Sequence, residues 1–195
     1  MSDVWSLPRS PELMSPADTA LLVVDVQTKI IGLIPDHLRI VWNIGRLIDG
    51  AHILGLPVAA TEQYPQGLGP TTAELADCLE DIHSKMTFSC ASCAEIFEKL
   101  SRRGVHKILV AGIEAHVCVQ QTVLDLLAGG FRVYVPVDGV GARYEIDRDT
   151  ALRRMDSSGA TLTSTEAALF EWCVVSGTPE FKQISALVRQ SPPVE

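Results

Sequence analysis

Short unbroken apolar runs alternate along this chain with longer stretches in which apolar residues recur every three or four positions. Residues 19–26 (TALLVVDV) form the first run, with an apolar centre at 20–24, and a strand covered on both faces reads this way. Residues 36–54 place Leu38, Val41, Ile44, Leu47, Ile48 and Ile53 at helical spacing, and Gly55 stops that helix. A second strand is predicted over 56–60 and a short third over 86–88. A helix over 94–101 leads to a fourth strand at 107–111 (KILVA). The helix over 116–127 ends at Gly129 and Gly130. Residues 131–137 (FRVYVPV) give a fifth strand, 148–157 a helix and 161–163 a last strand, with closing helices over 166–172 and 179–189. Strands alternating with helices predict an α/β fold in three layers, a mostly parallel six-stranded sheet with helices on both faces. Pro8, Pro11 and Pro16 mark residues 1–16 as an N-terminal arm and 191–195 read as a tail, which leaves 17–190 as one domain.

Composition narrows the partners. A chain of 195 residues with 47% hydrophobic content supports one core of ordinary size. Its net charge of −8 argues against a nucleic-acid partner, since phosphate binding needs a basic footprint. Five cysteines at irregular spacing do not make a secreted disulfide framework, and a reducing, cytoplasmic setting is expected. Residues 1–16 carry no apolar signal core, and no run approaches the roughly 20 residues of a membrane span, so no membrane partner is expected.

In parallel sheets the chemistry gathers beyond the carboxyl ends of the strands. Asp25 closes the first strand after four apolar residues; an acid there is either used or caps the next helix. Cys118 follows the fourth strand by a short turn and stands near a helix start, where the helix dipole favours thiolate. Its other reading is a buried, inert cysteine. Lys85 precedes the third strand; it is either a surface residue or a cation that holds Asp25 ionised and favours thiolate at Cys118. Together the three supply base, cation and nucleophile for acyl transfer.

Three segments carry a resemblance: residues 21–27 (LLVVDVQ), 84–89 (SKMTFS) and 112–122 (GIEAHVCVQQT). In order and spacing they resemble the isochorismatase-like cysteine hydrolases, over roughly residues 17–169. The resemblance implies a Rossmann-like fold and a catalytic triad of Asp25, Lys85 and Cys118. It implies a cis peptide between Ile113 and Glu114, with the N–H groups of Glu114 and Cys118 forming an oxyanion hole. It implies a homo-oligomer. Residues 61–69 (TEQYPQGLG) are similar to a subgroup whose substrates are largely unassigned. Nicotinamidases of the family carry an Asp-x-His pair there, which this chain lacks; no metal, no other cofactor and no nicotinamide substrate are therefore expected. Members that cleave the vinyl ether of isochorismate use no cysteine nucleophile, so Cys118 points to attack on a carbonyl or nitrile carbon of a small-molecule substrate, with cleavage expected at an amide-type C–N bond.

Gln27, Gln63, Tyr64 and Leu68 come from loops after the first two strands and are candidates for substrate contact, with Phe88 near the pocket wall. Gln27 has an equal alternative, a hydrogen bond that holds its loop, and Tyr64 with Pro65 reads also as a rigid turn. His116 reads more readily as a structural hydrogen bond than as a general base. Cys90 and Cys93 form a C-x-x-C at a helix start, either a redox pair or two small packing residues. A catalytically silent binding protein is the remaining alternative.

Overall fold

All six residues of β1 (Thr19–Val24) are buried, which explains why its sequence is a run rather than an alternation. Leu21 and Val23 enter one apolar cluster while Ala20, Leu22 and Val24 enter another, as the twofold period of a strand requires. The computed structural model describes residues 7–193, so the first six residues of the arm and the last two of the tail lie outside the described residues.

After β1 come a short turn of helix, α1 (Thr28–Ile31), and the long α2 (His37–Leu54), closed by Gly55 in the left-handed conformation at φ 72°. Then follow β2 (Val58–Gln63), α3 (Pro65–Leu68), α4 (Ala73–Ala76) and β3 (Ile82–Lys85). The second half holds α5 (Ala94–Arg102), β4 (Lys107–Ile113), α6 (Gln120–Ala128), β5 (Arg132–Pro136) and β6 (Val140–Gly141). It ends in α7 (Glu145–Ser157), β7 (Thr161–Thr163), α8 (Thr165–Cys173) and α9 (Pro179–Val188).

The strands pair in the order β3-β2-β1-β4-β5-β7, every pair parallel. Six strands lie on this path, and the two-residue β6 adds a seventh beside the end of β4. The cluster built on Leu21 and Val23 includes residues of α2, α8 and α9; the cluster on Leu22 and Val24 includes residues of α5, α6 and α7. The expected three-layer α/β architecture is therefore present.

Two strands differ from expectation. β2 starts at Val58, since Pro57 offers no N–H to a ladder, although its carbonyl accepts from the Leu21 N–H. β3 occupies Ile82–Lys85 rather than 86–88. Its register against β2 pairs Lys85 with Gln63, and beyond it the chain folds back so that the carbonyls of Thr87 and Phe88 meet the Lys85 ammonium. The expected helix at 116 is divided: a π turn at Ala115–Val119 precedes α6. Helix α7 begins at Glu145 instead of 148, with Glu145 and Asp147 favourably placed in its first turn.

At the opposite end of the sheet the described part of the arm is strapped down. Met14 is fully buried, and Lys107 Nζ donates to Leu13 O at 2.7 Å and to Asp18 Oδ2 at 2.8 Å.

Candidate active site

Three parallel strands end on a residue with left-handed backbone: Asp25 (φ 53°) follows β1, Tyr64 (φ 42°) follows β2 and Glu114 (φ 54°) follows β4. Such conformations cost on the order of 1–3 kcal/mol each outside glycine, so they persist only where the surroundings impose them. Each reverses the chain sharply at the carboxyl edge of the sheet and turns the next residues over its mouth. Gly112 makes this possible at the centre. Its φ is +145°, and a Cβ on it would lie 2.2 Å from the Val24 carbonyl oxygen. Without a side chain, β4 closes against β1 beside Asp25.

Asp25, Lys85 and Cys118 are brought together there, each buried. Lys85 Nζ donates to Asp25 Oδ2 at 2.6 Å, to Phe88 O at 2.8 Å and to Thr87 O at 3.2 Å. Its three protons thus have three acceptors, which is what a buried ammonium needs. Cys118 is close enough to feel the charges of both Asp25 and Lys85. Burial first, then the charge of Asp25, pushes this thiol far above its ordinary value, and Lys85 offsets only part of the rise. This corrects the expectation of a helix-stabilised thiolate: Cys118 sits in a π turn, 6% exposed, with a carboxylate as its nearest charge. The resting nucleophile is a thiol beside its candidate base.

No peptide bond among the described residues is cis, so the bond between Ile113 and Glu114 is trans. The chain reverses there through the left-handed Glu114, two residues after the positive φ of Gly112. The Glu114 carboxylate accepts from Arg143 Nε at 2.9 Å, which fastens the turn to the segment after β6.

The candidates for substrate contact separate into two groups. Gln27 is fully buried; its Nε2 donates to Gln63 O at 3.0 Å and Gly69 O at 2.7 Å, and its Oε1 accepts from Gln63 N at 2.9 Å. Its polar atoms are spent on the loop, which is the clamp offered as the alternative to substrate contact. Gln63 is half-buried and donates to Met86 O, Leu68 is half-buried in α3, and Tyr64 and Phe88 are 45% and 51% exposed. Gln63 closes β2, Leu68 stands at the end of α3, and Tyr64 and Phe88 lie in the segments after β2 and β3. His116 lies 3.5 Å from Glu114 Oε2 and 3.8 Å from Asp147 Oδ2, beside the turn rather than on the trio.

Sequence reasoning missed Thr61. Its hydroxyl donates to Asp25 Oδ1 at 2.8 Å, so both oxygens of the carboxylate are occupied. The available signal was a hydroxyl at the end of an apolar strand, placed by register beside Val24. Cys90 has a neighbour the sequence did not suggest: it is fully buried with its Sγ 3.4 Å from Thr61 Oγ1, and all five thiols are free. Among the described residues no group of three His, Cys, Asp or Glu side chains gathers as metal ligands would, and no helix is long and apolar enough to cross a membrane.

Fold and site together are of the hydrolase type. The family model for the Isochorismatase domain matches residues 19–167, and the chain belongs to that family. It is 38% identical over 179 residues to Isochorismatase domain-containing protein 2 of Macaca fascicularis, covering 91% of this chain and 86% of that one. The structure of MAR1 ribonuclease from Caenorhabditis elegans superposes with a TM-score of 0.86 at 39% identity, covering 93% of this chain and 95% of that one. YcaC from Pseudomonas aeruginosa with hexane-2,5-diol and covalent acrylamide superposes with a TM-score of 0.81 at 25% identity, covering 92% of this chain and 93% of that one.

Proposed function

We propose that this protein is a cysteine hydrolase that cleaves an amide-type C–N bond in a small carbonyl substrate through a thioester on Cys118. The observation that carries the reading is the buried trio, with Lys85 Nζ 2.6 Å from an Asp25 carboxylate whose charge acts on the Cys118 thiol. Because burial and Asp25 keep the sulfur protonated at rest, attack is coupled to proton transfer. The Cys118 proton passes to Asp25 as sulfur bonds to the carbonyl carbon. The oxyanion rests on the N–H groups of Glu114 and Cys118, where losing one donor costs about 3 kcal/mol of barrier. Asp25 then returns the proton to the departing nitrogen. Water gives a proton to Asp25, its oxygen bonds to the thioester carbon, and the acid leaves as the thiol regains its proton. Gln63, Tyr64, Leu68 and Phe88 line the approach. That a relative of the same fold carries covalent acrylamide fits a reactive side chain open to a small amide. The apolar faces of Tyr64, Met86 and Phe88 exposed around the mouth fit a homo-oligomer.

The test is a panel of small amides, with release of amine measured and the acyl adduct on Cys118 sought by mass spectrometry. Cys118→Ala is expected to lower turnover by at least about a thousandfold. Full turnover by Cys118→Ala on an identified substrate overturns the reading, and the absence of any turnover or adduct across the panel favours a binding role.

One second reading has an observation behind it, the ribonuclease name of the Caenorhabditis elegans structure. A net charge of −8 opposes a polyanion, and a thiol–carboxylate pair suits acyl transfer better than phosphodiester cleavage. Cleavage of a synthetic RNA that survives in Cys118→Ala would favour a separate nuclease site.

A further inference from the structure

The Asp25 carboxylate has a second support that leads away from Lys85. Thr61 is 1% exposed at the end of β2 and its hydroxyl donates to Asp25 Oδ1 at 2.8 Å. The Thr61 hydroxyl oxygen also lies 3.4 Å from Cys90 Sγ, and Cys90 is fully buried. The Cys90 N–H donates to Thr122 Oγ1 at 3.0 Å. Thr122 is fully buried and stands four residues after Cys118, in α6. A line of contacts therefore runs from the base through Thr61 and Cys90 to Thr122, in the helix that directly follows the π turn holding the nucleophile.

We propose that Thr61 and Cys90 are positioning residues that act on the base through a one-way hydrogen-bond relay, Cys90 S–H to Thr61 O–H to Asp25 Oδ1. The inference rests on the reading of Asp25 as base to Cys118. The direction of the relay follows from two facts. A hydroxyl has one proton, and Thr61 spends it on a carboxylate, so toward Cys90 it can only accept. Burial pushes the Cys90 thiol up to about 11, so it keeps its proton across the working range and stays a donor. Thr61 is thereby prevented from turning its proton away from Asp25. A donor on Oδ1 favours the anionic carboxylate over the acid. After Asp25 has taken the Cys118 proton, it releases it more readily to the leaving group. The relay also accounts for half of the C-x-x-C pair: Cys90 belongs to the base, and Cys93 lies in the α5 N-cap, half-buried.

The test uses the full chain and iodoacetamide as the probe, with the rate at Cys118 resolved by mass spectrometry against pH. The lower inflection of that profile reports proton uptake at the base. Thr61→Val, which keeps the shape and deletes the hydroxyl, is expected to move this inflection up by about one pH unit and so to slow alkylation on its acid side. Thr61→Ser is expected to restore the native profile. Cys90→Ala is expected to give a smaller upward move and Cys90→Ser none, and this second pair keeps the test available should Thr61→Val not fold. An inflection unmoved in both Thr61→Val and Cys90→Ala, while Asp25→Asn abolishes it, overturns the relay and leaves the base in place. An inflection unmoved in Asp25→Asn overturns the base reading itself, and the relay with it. A rate lowered uniformly at every pH marks Thr61 as mere packing and also overturns the relay.

Discussion

At the residue scale, the environment of Cys118 decides how the site must be probed. Burial and the Asp25 charge hold the thiol up, so it is not a ready nucleophile in the absence of substrate. Asp25→Asn should therefore act in opposite directions on two measurements. Removing the charge makes the thiol more acidic, so alkylation in alkaline buffer should quicken. Removing the base should lower amide turnover by about a hundredfold or more. A thiol rate that falls together with turnover would contradict the assignment of Asp25 as the charge that raises the sulfur. The type of each residue in the trio was legible in the sequence, as an acid, a cation and a thiol at strand ends. The sign of the Cys118 shift was not, because the sequence placed it near a helix start and could not show the carboxylate pressed against it. The two readings of Gln27 could not be separated for a similar reason: the sequence does not show that the loop closes over its side chain.

At the scale of elements, strands made of apolar runs were read with sound type and approximate bounds, since burial on both faces writes itself into composition. Strands at the margin were not. β3 (sequence IHSK) has one ladder neighbour and carries no apolar run, so nothing in its composition announced it. The junction of β4 with the π turn was also hidden, because it depends on two backbone conformations, Gly112 and Glu114, rather than on hydrophobic pattern. Gly112→Ala tests that junction. A Cβ 2.2 Å from the Val24 carbonyl oxygen, at φ +145°, forces β4 off β1 next to Asp25. Loss of about 2–4 kcal/mol in urea unfolding is expected, with turnover falling further than stability. A loss below about half a kcal/mol would show that the strand end yields without cost.

At the scale of the whole molecule, the end of the sheet away from the site is tied by charge. Burial pushes the Asp18 carboxyl up, but hydrogen bonds from Lys107, Thr19 and Ser15 outweigh it and hold the group at about 2, below its ordinary 3.8. A carboxyl whose folded value is depressed contributes stability that is fully present above its unfolded value and is lost as pH falls through the folded one. The native chain should therefore lose stability between about pH 4 and pH 2 from this source, on the order of 2 kcal/mol. Asp18→Asn should be less stable by a similar amount at neutral pH, and the two unfolding curves should converge near pH 2. Parallel curves at all pH values would show that the pair with Lys107 contributes nothing.

The sheet order has a consequence for how the protein fails when warmed. Asp25 and Cys118 hang from β1 and β4, which hold neighbours on both sides, whereas Lys85 ends a four-residue strand at the edge. Edge segments open in local fluctuations that leave the centre intact. A brief detachment of β3 withdraws the ammonium while base and thiol stay in register. Heat should thus produce a population that is folded yet inert, with inactivation running ahead of denaturation.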